Sequence, residues 1–238
     1  MATPLVWGWV GDQGSGKTLS FAERIDVCLR FCESVYKKNQ GGIGEPYLKC
    51  SVIKDFKLSP KIEEKYKDFL EYWSDPEELA YKRGRFVFVD EISVIADATE
   101  WADLAPSVRK WVRQLRKHQC KLYFTAQDFK TVDIAFRRVT RRLVHCRKLI
   151  GSPDPGMGRK EIKHPWGIIW KREVKRSSYV NEAVEYEYKG WIPQFTTIKK
   201  KWCDYYDTLA IIEMKAHRSL KHITKKCSTC GIEKIIHQ

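Results

Sequence analysis

The sequence predicts an α/β fold, in which a mostly parallel β-sheet carries helices on both faces and a small β-rich appendage follows at the C-terminus. Three observations predict it. Residues 11–18 fit the glycine-rich pattern G-x-x-x-x-G-K-[ST]. An apolar run ends in the acidic pair Asp90-Glu91. Around these motifs, buried-strand patterns alternate with helical ones, as they do in a sheet whose parallel strands are joined by helices.

The glycine-rich loop lies in the context that a phosphate-binding loop requires. An apolar run, Leu5 to Val10, precedes it as a buried strand, and a helix-compatible stretch, Leu19 to Tyr36, follows it. Such a loop points backbone N–H groups at phosphate oxygens, and the helix N-terminus adds the positive end of its dipole. The residues predicted to bind the nucleotide are Gly11, Gly14, Ser15, Gly16, Lys17 and Thr18. Lys17 is expected to reach the β- and γ-phosphates, and Thr18 is expected to ligate Mg²⁺.

The acidic pair follows Arg85 to Val89, a run that suits a central parallel strand buried on both faces. Ligands of such sheets bind beyond the C-terminal ends of the strands. Asp90 is therefore placed to hold Mg²⁺, directly or through water, and Glu91 to polarise the attacking water as a general base. An acidic pair at this position favours an ATPase over a GTPase switch, and the sequence lacks the N-K-x-D motif that reads guanine in many GTPases.

The remaining elements of the first 150 residues follow from apolar spacing. Residues 47–53 read as a short strand, and the charged stretch 61–79 reads as surface helix with a possible break at Ser74-Asp75-Pro76. Pro106 to His118 predicts a basic helix. Lys121 to Gln127 predicts a buried strand with Gln127 at its C-terminal tip. A short helix within 132–139 and a strand from Leu143 to Arg147 complete the predicted core.

The residue pattern of the sequence changes after residue 150. Trp166 to Trp191 alternates and is rich in Trp, Tyr, Val and Ile, which predicts two or three antiparallel strands. We therefore divide the chain into an ATPase core, 1–150, and a β-rich appendage with a cysteine-containing tail, 151–238. Aromatic residues that alternate along strands form cross-strand core pairs more often than they stack on single-stranded bases. Core packing is therefore the favoured interpretation for the aromatic residues of this stretch.

Composition limits the class of partner and compartment. The 238 residues carry a formal net charge of +14, which favours a polyanionic partner, most plausibly nucleic acid. Met1 leads straight into the first strand without a secretory signal, and no run of 18 apolar residues is found. The eight cysteines are expected to be reduced thiols, most of them buried. The host cytoplasm, or association with a virion, is the expected location.

The order of the short motifs is more specific than any one of them. In chain order they are Asp90-Glu91, Trp111-Val112 with Arg116-Lys117-His118, Thr125-Ala126-Gln127, Val132 to Arg137, and Tyr206-Asp207-Thr208. This series resembles the zonula occludens toxin-like ATPases, which include filamentous-phage assembly ATPases and lie close to the FtsK/HerA group of DNA-pumping motors. The resemblance covers residues 5–210 and implies a P-loop NTPase fold of the RecA/FtsK type.

The resemblance also implies roles and partners. Gln127 resembles the polar residue that senses the γ-phosphate, and Arg137 resembles an arginine finger that acts on a neighbouring subunit. The implied function is an ATP-driven DNA motor, expected to be a homo-oligomeric ring such as a hexamer, that packages a viral genome into a capsid. The phage assembly ATPases carry a membrane span after the core, and its absence here favours packaging. The alternatives are an assembly or extrusion ATPase that works with a membrane partner, and a nucleotide-gated scaffold with little turnover.

Two groups of residues each have more than one possible role. The arginines at positions 137, 138, 141 and 142 can include a finger, contact DNA phosphates, or solvate a surface. Cys227 and Cys230 form a C-x-x-C-G pattern typical of zinc ligation, but no second pair has clean spacing. The alternatives for this pair are a reduced tail and redox or disulfide chemistry.

Overall fold

The chain builds one large mixed β-sheet with helices along it. The structure is a computed structural model that describes residues 5–39, 48–96, 104–151, 167–180, 183–188, 194–197, 205, 224–226 and 233–235. Its strands are β1 (Val6–Val10), β2 (Lys49–Ile53), β3 (Leu70–Trp73), β4 (Arg85–Val89), β5 (Lys121–Ala126), β6 (Arg142–Gly151), β7 (Gly167–Val180), β8 (Ala183–Tyr188), β9 (Gln194–Thr197), β10 (Thr224–Lys226) and β11 (Glu233–Ile235). Its helices are α1 (Lys17–Lys38), α2 (Pro60–Lys65), α3 (Pro106–Arg113) and α4 (Ile134–Val139).

The large sheet has the strand order β3-β2-β4-β5-β1-β6-β7-β8, with β9 also paired to β7. All pairings from β3 to β6 are parallel, and those of β7 with β6, β8 and β9 are antiparallel. The predicted α/β fold with a mostly parallel sheet is confirmed, and so is the antiparallel pairing after residue 166. The antiparallel strands continue the core sheet through the β6–β7 pair. The division into two domains at residue 150 stays a prediction.

Helices lie on both faces of the parallel part of the sheet. Successive residues of a strand point to opposite faces. On one face Tyr123 stacks on Phe88, with ring centroids 4.9 Å apart, and Phe88 packs edge-on against Phe21 of α1 at 5.5 Å. On the other face Phe124 stacks on Phe129 at 6.4 Å, in the 3₁₀ turn that leads towards α4, and α4 packs against α3.

The helix predicted over 61–79 is wrong. Only Pro60–Lys65 is α-helical, Leu70–Trp73 is an edge strand parallel to β2, and Pro76–Tyr81 is a 3₁₀ helix. Trp73 pairs with Ile53 and is only 2% exposed. The charged residues around Trp73 resemble those of a surface helix. The segment is a strand because it pairs with β2, and a local sequence pattern does not show such a distant partner. The basic helix α3 is also shorter than predicted and ends at Arg113.

The cysteines of the described residues are buried and free, as predicted. They are Cys28, Cys32, Cys50, Cys120 and Cys146. Burial raises the pKa of both Cys28 and Cys146 to about 11, so these thiols are protonated and inert at neutral pH. Within the same described ranges, none of the helices combines the length and the apolar character needed to cross a bilayer.

Candidate active site

The glycine-rich loop joins β1 to α1 and is closely packed. Gly16 has φ of +84°, and a Cβ atom there would lie 2.3 Å from Ile169 Cδ1 of β7. Gly11 has φ of +151°, and its Cβ would lie 2.4 Å from the backbone oxygen of Cys146. An L side chain would therefore meet both a disfavoured backbone conformation and a steric clash at either position. The glycines predicted to shape the loop are required by its geometry.

Two polar side chains of the loop are buried. Lys17 is 5% exposed, and its Nζ forms an ion pair with Glu91 Oε1 at 2.9 Å. The hydroxyl of Ser15 is buried and has no hydrogen-bond partner within the described ranges. Buried polar atoms are almost always satisfied, and an exception indicates a missing ligand or water. An anion such as a phosphate, held by Ser15 and Lys17, fits this loop.

Register brings the other predicted residues to the same edge of the sheet. Val10 of β1 lies opposite Ala126 of β5, and Val89 of β4 lies opposite Phe124. The loop, the acidic pair and Gln127 therefore all leave the C-terminal ends of parallel strands, where α/β sheets bind ligands. Gln127 is exposed at this edge.

A buried threonine organises the acidic pair. The hydroxyl of Thr125, fully buried on β5, donates to Asp90 Oδ1 at 2.6 Å and accepts from the backbone N–H of Glu91 at 2.8 Å. Glu91 has φ of +48°, a left-handed conformation that is uncommon outside glycine. Such conformations persist where the surroundings hold them, and they are concentrated at functional sites. The bond that the N–H of Glu91 donates to Thr125 holds the turn from which Glu91 reaches Lys17.

The environment of Asp90 shifts its ionisation. Desolvation raises the pKa of Asp90 to about 6, and the adjacent charge of Glu91 adds to the rise. The hydrogen bond from Thr125 and the charge of Lys17 act in the opposite direction. A carboxylate that is costly to ionise gains from a nearby cation. The oxygen donors predicted to hold Mg²⁺ are Asp90, at the end of β4, and the hydroxyl of Thr18, in the first turn of α1.

Arg137 lies on α4, which leads away from the loop edge. After α4 the chain reaches the opposite edge of the sheet, where the N–H of Arg141 donates to the backbone oxygen of Val6 at 3.2 Å. The N-cap of α4 is the buried Asp133, whose carboxylate accepts from the N–H of Ala135 at 2.6 Å and lies 3.8 Å from Arg109 Nη2. The half-buried Arg137 thus lies on a short helix that runs from the loop edge towards the opposite edge of the sheet.

The predicted zinc ligands fall outside the described residues. Cys227 and Cys230 lie between β10 and β11, which pair antiparallel. Within the ranges that the structure covers, no group of three or more His, Cys, Asp or Glu side chains could hold a metal ion. The zinc site therefore stays a prediction.

Sequence reasoning missed two contributors to this site. In the sequence Thr125 is only part of the Thr125-Ala126-Gln127 motif, and its closeness to Asp90 arises from the pairing of β4 with β5. Ile169 gave no signal, because it lies in a strand 153 positions after Gly16 and reaches the loop only through the β6–β7 pairing. A prediction that β5 pairs with β4 would have placed Thr125 next to Asp90.

Residues 9–156, more than half of the chain, match the family described as Zonular occludens toxin (Zot). The chain belongs to the Zot family. No curated protein matches this Zot-family sequence.

Two solved structures are similar to this Zot-family chain, and the first of them, at a TM-score of 0.50, shares its fold. The N-terminal domain of zonular occludens toxin from Neisseria meningitidis has a TM-score of 0.50 and 18% identity, over 87% of this chain and 100% of that one. The genome packaging NTPase B204 from Sulfolobus turreted icosahedral virus 2, in complex with ATP-gammaS, has a TM-score of 0.41 and 9% identity, over 81% and 100%. The glycine-rich loop between β1 and α1, at the C-terminal edge of a parallel sheet, is the arrangement of the P-loop NTPase fold.

Thr125→Val in this Zot-family protein is expected to move the acidic limb of any pH–activity profile to higher pH. The change removes the hydrogen bond that lowers the pKa of Asp90, while valine keeps the volume and β-branch. A loss of roughly 10-fold in turnover at neutral pH should accompany the shift, and Thr125→Ser should restore both. A Thr125→Val profile that overlays the wild type, in protein with normal thermal stability, would contradict the role of Thr125.

Proposed function

We propose that this Zot-family protein is a Mg²⁺-dependent ATPase whose cycle translocates DNA and packages a viral genome into a capsid. The observation that carries the ATPase proposal is the ion pair between Lys17 and Glu91 at 2.9 Å. It joins the phosphate-binding lysine directly to the acidic pair that Thr125 orients. The residues proposed to bind phosphate and to activate water therefore lie next to each other.

The ion pair suggests how the site changes when ATP binds. The phosphates of ATP compete with Glu91 for Lys17, because both are anions that the buried ammonium can neutralise. Once displaced, Glu91 is a carboxylate at the mouth of the site that can accept a proton from the attacking water. Glu91 is the more exposed partner, with 27% of its side chain accessible against 6% for Lys17. Its movement is therefore less restricted than that of the lysine.

Thr18 and Asp90 would hold Mg²⁺ in this scheme. The ion supplies charge neutralisation between the phosphates when it is bound. Thr125 keeps one oxygen of Asp90 fixed through its hydrogen bond. Gln127, exposed at the same edge, is the proposed sensor of the γ-phosphate.

Support for DNA as the partner comes from the net charge of the chain and from its resemblance to ATPases that lie close to the FtsK/HerA group of DNA-pumping motors. A formal net charge of +14 over 238 residues favours a polyanion. Steady-state ATP hydrolysis, measured without DNA, with single strands and with duplexes, tests the proposal. Stimulation by DNA supports a motor. Turnover that is indifferent to DNA favours the assembly or extrusion ATPase, and nucleotide binding without turnover favours the scaffold.

Arg137 is proposed to complete the site of a neighbouring subunit in a ring. Arg137→Ala should keep ATP binding and assembly but lose hydrolysis by roughly 10³-fold, as loss of an arginine finger does. Mixing this variant with Lys17→Ala should restore turnover, since a mixed ring pairs an intact loop with an intact finger. Arg113→Ala, which removes an exposed arginine on α3, is the control and should leave turnover unchanged. Mixed rings as inactive as their parents would assign Arg137 to DNA contact or to the surface.

Structural zinc at Cys227 and Cys230 is a separate proposal. A C-x-x-C pair between two antiparallel strands is a common source of zinc ligands. Elemental analysis of protein purified without chelators tests it, and protein free of zinc would rule it out.

A further inference from the structure

A row of aromatic and cationic side chains crosses three strands on one face of the sheet. Arg147 of β6 lies opposite Trp170 of β7, and Trp170 lies opposite Phe195 of β9. One step along the same face, His145 lies opposite Arg172. Residues directly opposite on antiparallel strands share a face and touch their neighbours. We call these five residues the aromatic–arginine row.

The row is accessible and faces away from α1. Phe195 is 60% exposed, Arg147 is exposed and Trp170 is half-buried. The residues on either side of Trp170 point the other way: Ile169 approaches Gly16 of the loop, and Lys171 pairs with Glu23 of α1 at 3.1 Å. Exposed aromatic rings in a connected patch commonly mark an interaction surface.

The charge of the row is positive. Arg147 and Arg172 carry it. His145 lies opposite Arg172, and burial, followed by the charge of Arg172, lowers the pKa of His145. Among the side chains that the structure describes on this face of β6, β7 and β9, none is acidic. Glu173 lies on the opposite face, where it pairs with Arg142 at 3.1 Å. The surface is therefore complementary to an anion with flat apolar groups.

We infer that the aromatic–arginine row binds single-stranded DNA, with bases stacked on Trp170 and Phe195 and phosphates held by Arg147 and Arg172. Aromatic side chains on an open sheet face stack on unpaired bases, and guanidinium groups bind the adjoining phosphates. The bases of a duplex already stack on each other and offer no free face to these rings. The identity of the polymer as DNA rests on the proposed function; its single-stranded form rests on the row.

A protein partner is the main competing occupant, because aromatic and arginine residues also concentrate at protein interfaces. Two observations favour nucleic acid. The described part of the face has no carboxylate to pair with basic groups of a protein, and the whole chain is strongly basic. Substitution of Phe195 separates the two occupants, since leucine keeps apolar surface for a protein but removes the aromatic ring needed by a base.

The test is binding of a fluorescent oligonucleotide of about 16 nucleotides to the full chain without ATP, followed by anisotropy. We expect Phe195→Ala and Phe195→Leu to weaken binding by roughly 10-fold or more, and Phe195→Tyr to retain it. Phe31→Ala, which removes a 50% exposed phenylalanine of α1, is the matched control and should bind like the wild type. Thermal melting should show that all four variants are folded.

The salt dependence of binding tests the arginine. Arg147→Gln should weaken binding and reduce the slope of log K against log salt by about 0.7, the value for one phosphate on a single strand. Lys67→Gln, which alters an exposed lysine on another part of the surface, should leave both unchanged. A duplex of the same sequence should bind more weakly than the single strand and should be insensitive to Phe195.

Unchanged single-strand affinity in folded Phe195→Ala would overturn the inference, and so would a preference for duplex that ignores Phe195. ATP hydrolysis is measured on the same samples to keep the two proposals apart. An inactive protein whose oligonucleotide binding depends on Phe195 contradicts the proposed motor but supports the row. An active ATPase whose oligonucleotide binding does not depend on Phe195 contradicts the row and leaves the proposed motor supported.

Discussion

Lys17→Ala is expected to abolish ATP hydrolysis, with a loss of at least about 10³-fold in kcat/KM. The variant removes the one cation that the structure places inside the glycine-rich loop, buried and 2.9 Å from Glu91. It also leaves the carboxylate of Glu91 unneutralised where phosphates would bind, so repulsion adds to the lost attraction. Nucleotide affinity should fall together with turnover.

The measurement is calorimetric titration with a non-hydrolysable ATP analogue, alongside steady-state phosphate release. Alanine is the best helix former, so α1 should begin normally at position 17. Lys38→Ala, at the exposed C-terminal end of the same helix, is the matched control. Wild-type turnover in Lys17→Ala would place the phosphate site elsewhere.

Glu91→Gln is expected to bind ATP at least as tightly as the wild type but to hydrolyse it about 10²–10⁴-fold more slowly. Glutamine keeps the shape of the side chain and the backbone bond to Thr125, but it cannot accept the proton of the attacking water. It is also a weaker competitor for Lys17, because the ion pair becomes a neutral hydrogen bond. Binding and turnover should therefore move in opposite directions.

Single-turnover hydrolysis separates the chemical step from product release and is the decisive measurement. Glu77→Gln, an exposed glutamate at the 3₁₀ helix after β3, is the matched control and should leave both quantities unchanged. If Glu91→Gln turned over at the wild-type rate, Glu91 would be a partner of Lys17 and not the base. If Glu91→Gln bound ATP more weakly than the wild type, the ion pair between Lys17 and Glu91 would be stabilising the conformation of the glycine-rich loop.

The sequence alone determined the parts of this protein whose information is local. The loop at residues 11–18 needs glycines because of its own backbone, and the buried strand ending at Asp90 is visible as a run of consecutive apolar residues. These segments predicted the fold class and the two elements of the site. The predicted fold class is confirmed, because neighbouring residues in the chain specify each motif without help from distant strands, and the roles of the site residues stay predictions.

Tertiary structure decided what depends on strand pairing. The edge strand β3 formed against β2 despite its charged surroundings, and Thr125 reached Asp90 only because β5 lies beside β4. The pairing of β9 with β7 places Phe195 opposite Trp170, where Phe195 remains exposed. In each case the contact joins residues far apart in the chain. A shift of one residue in register would turn each side chain to the opposite face, and local sequence does not encode that register.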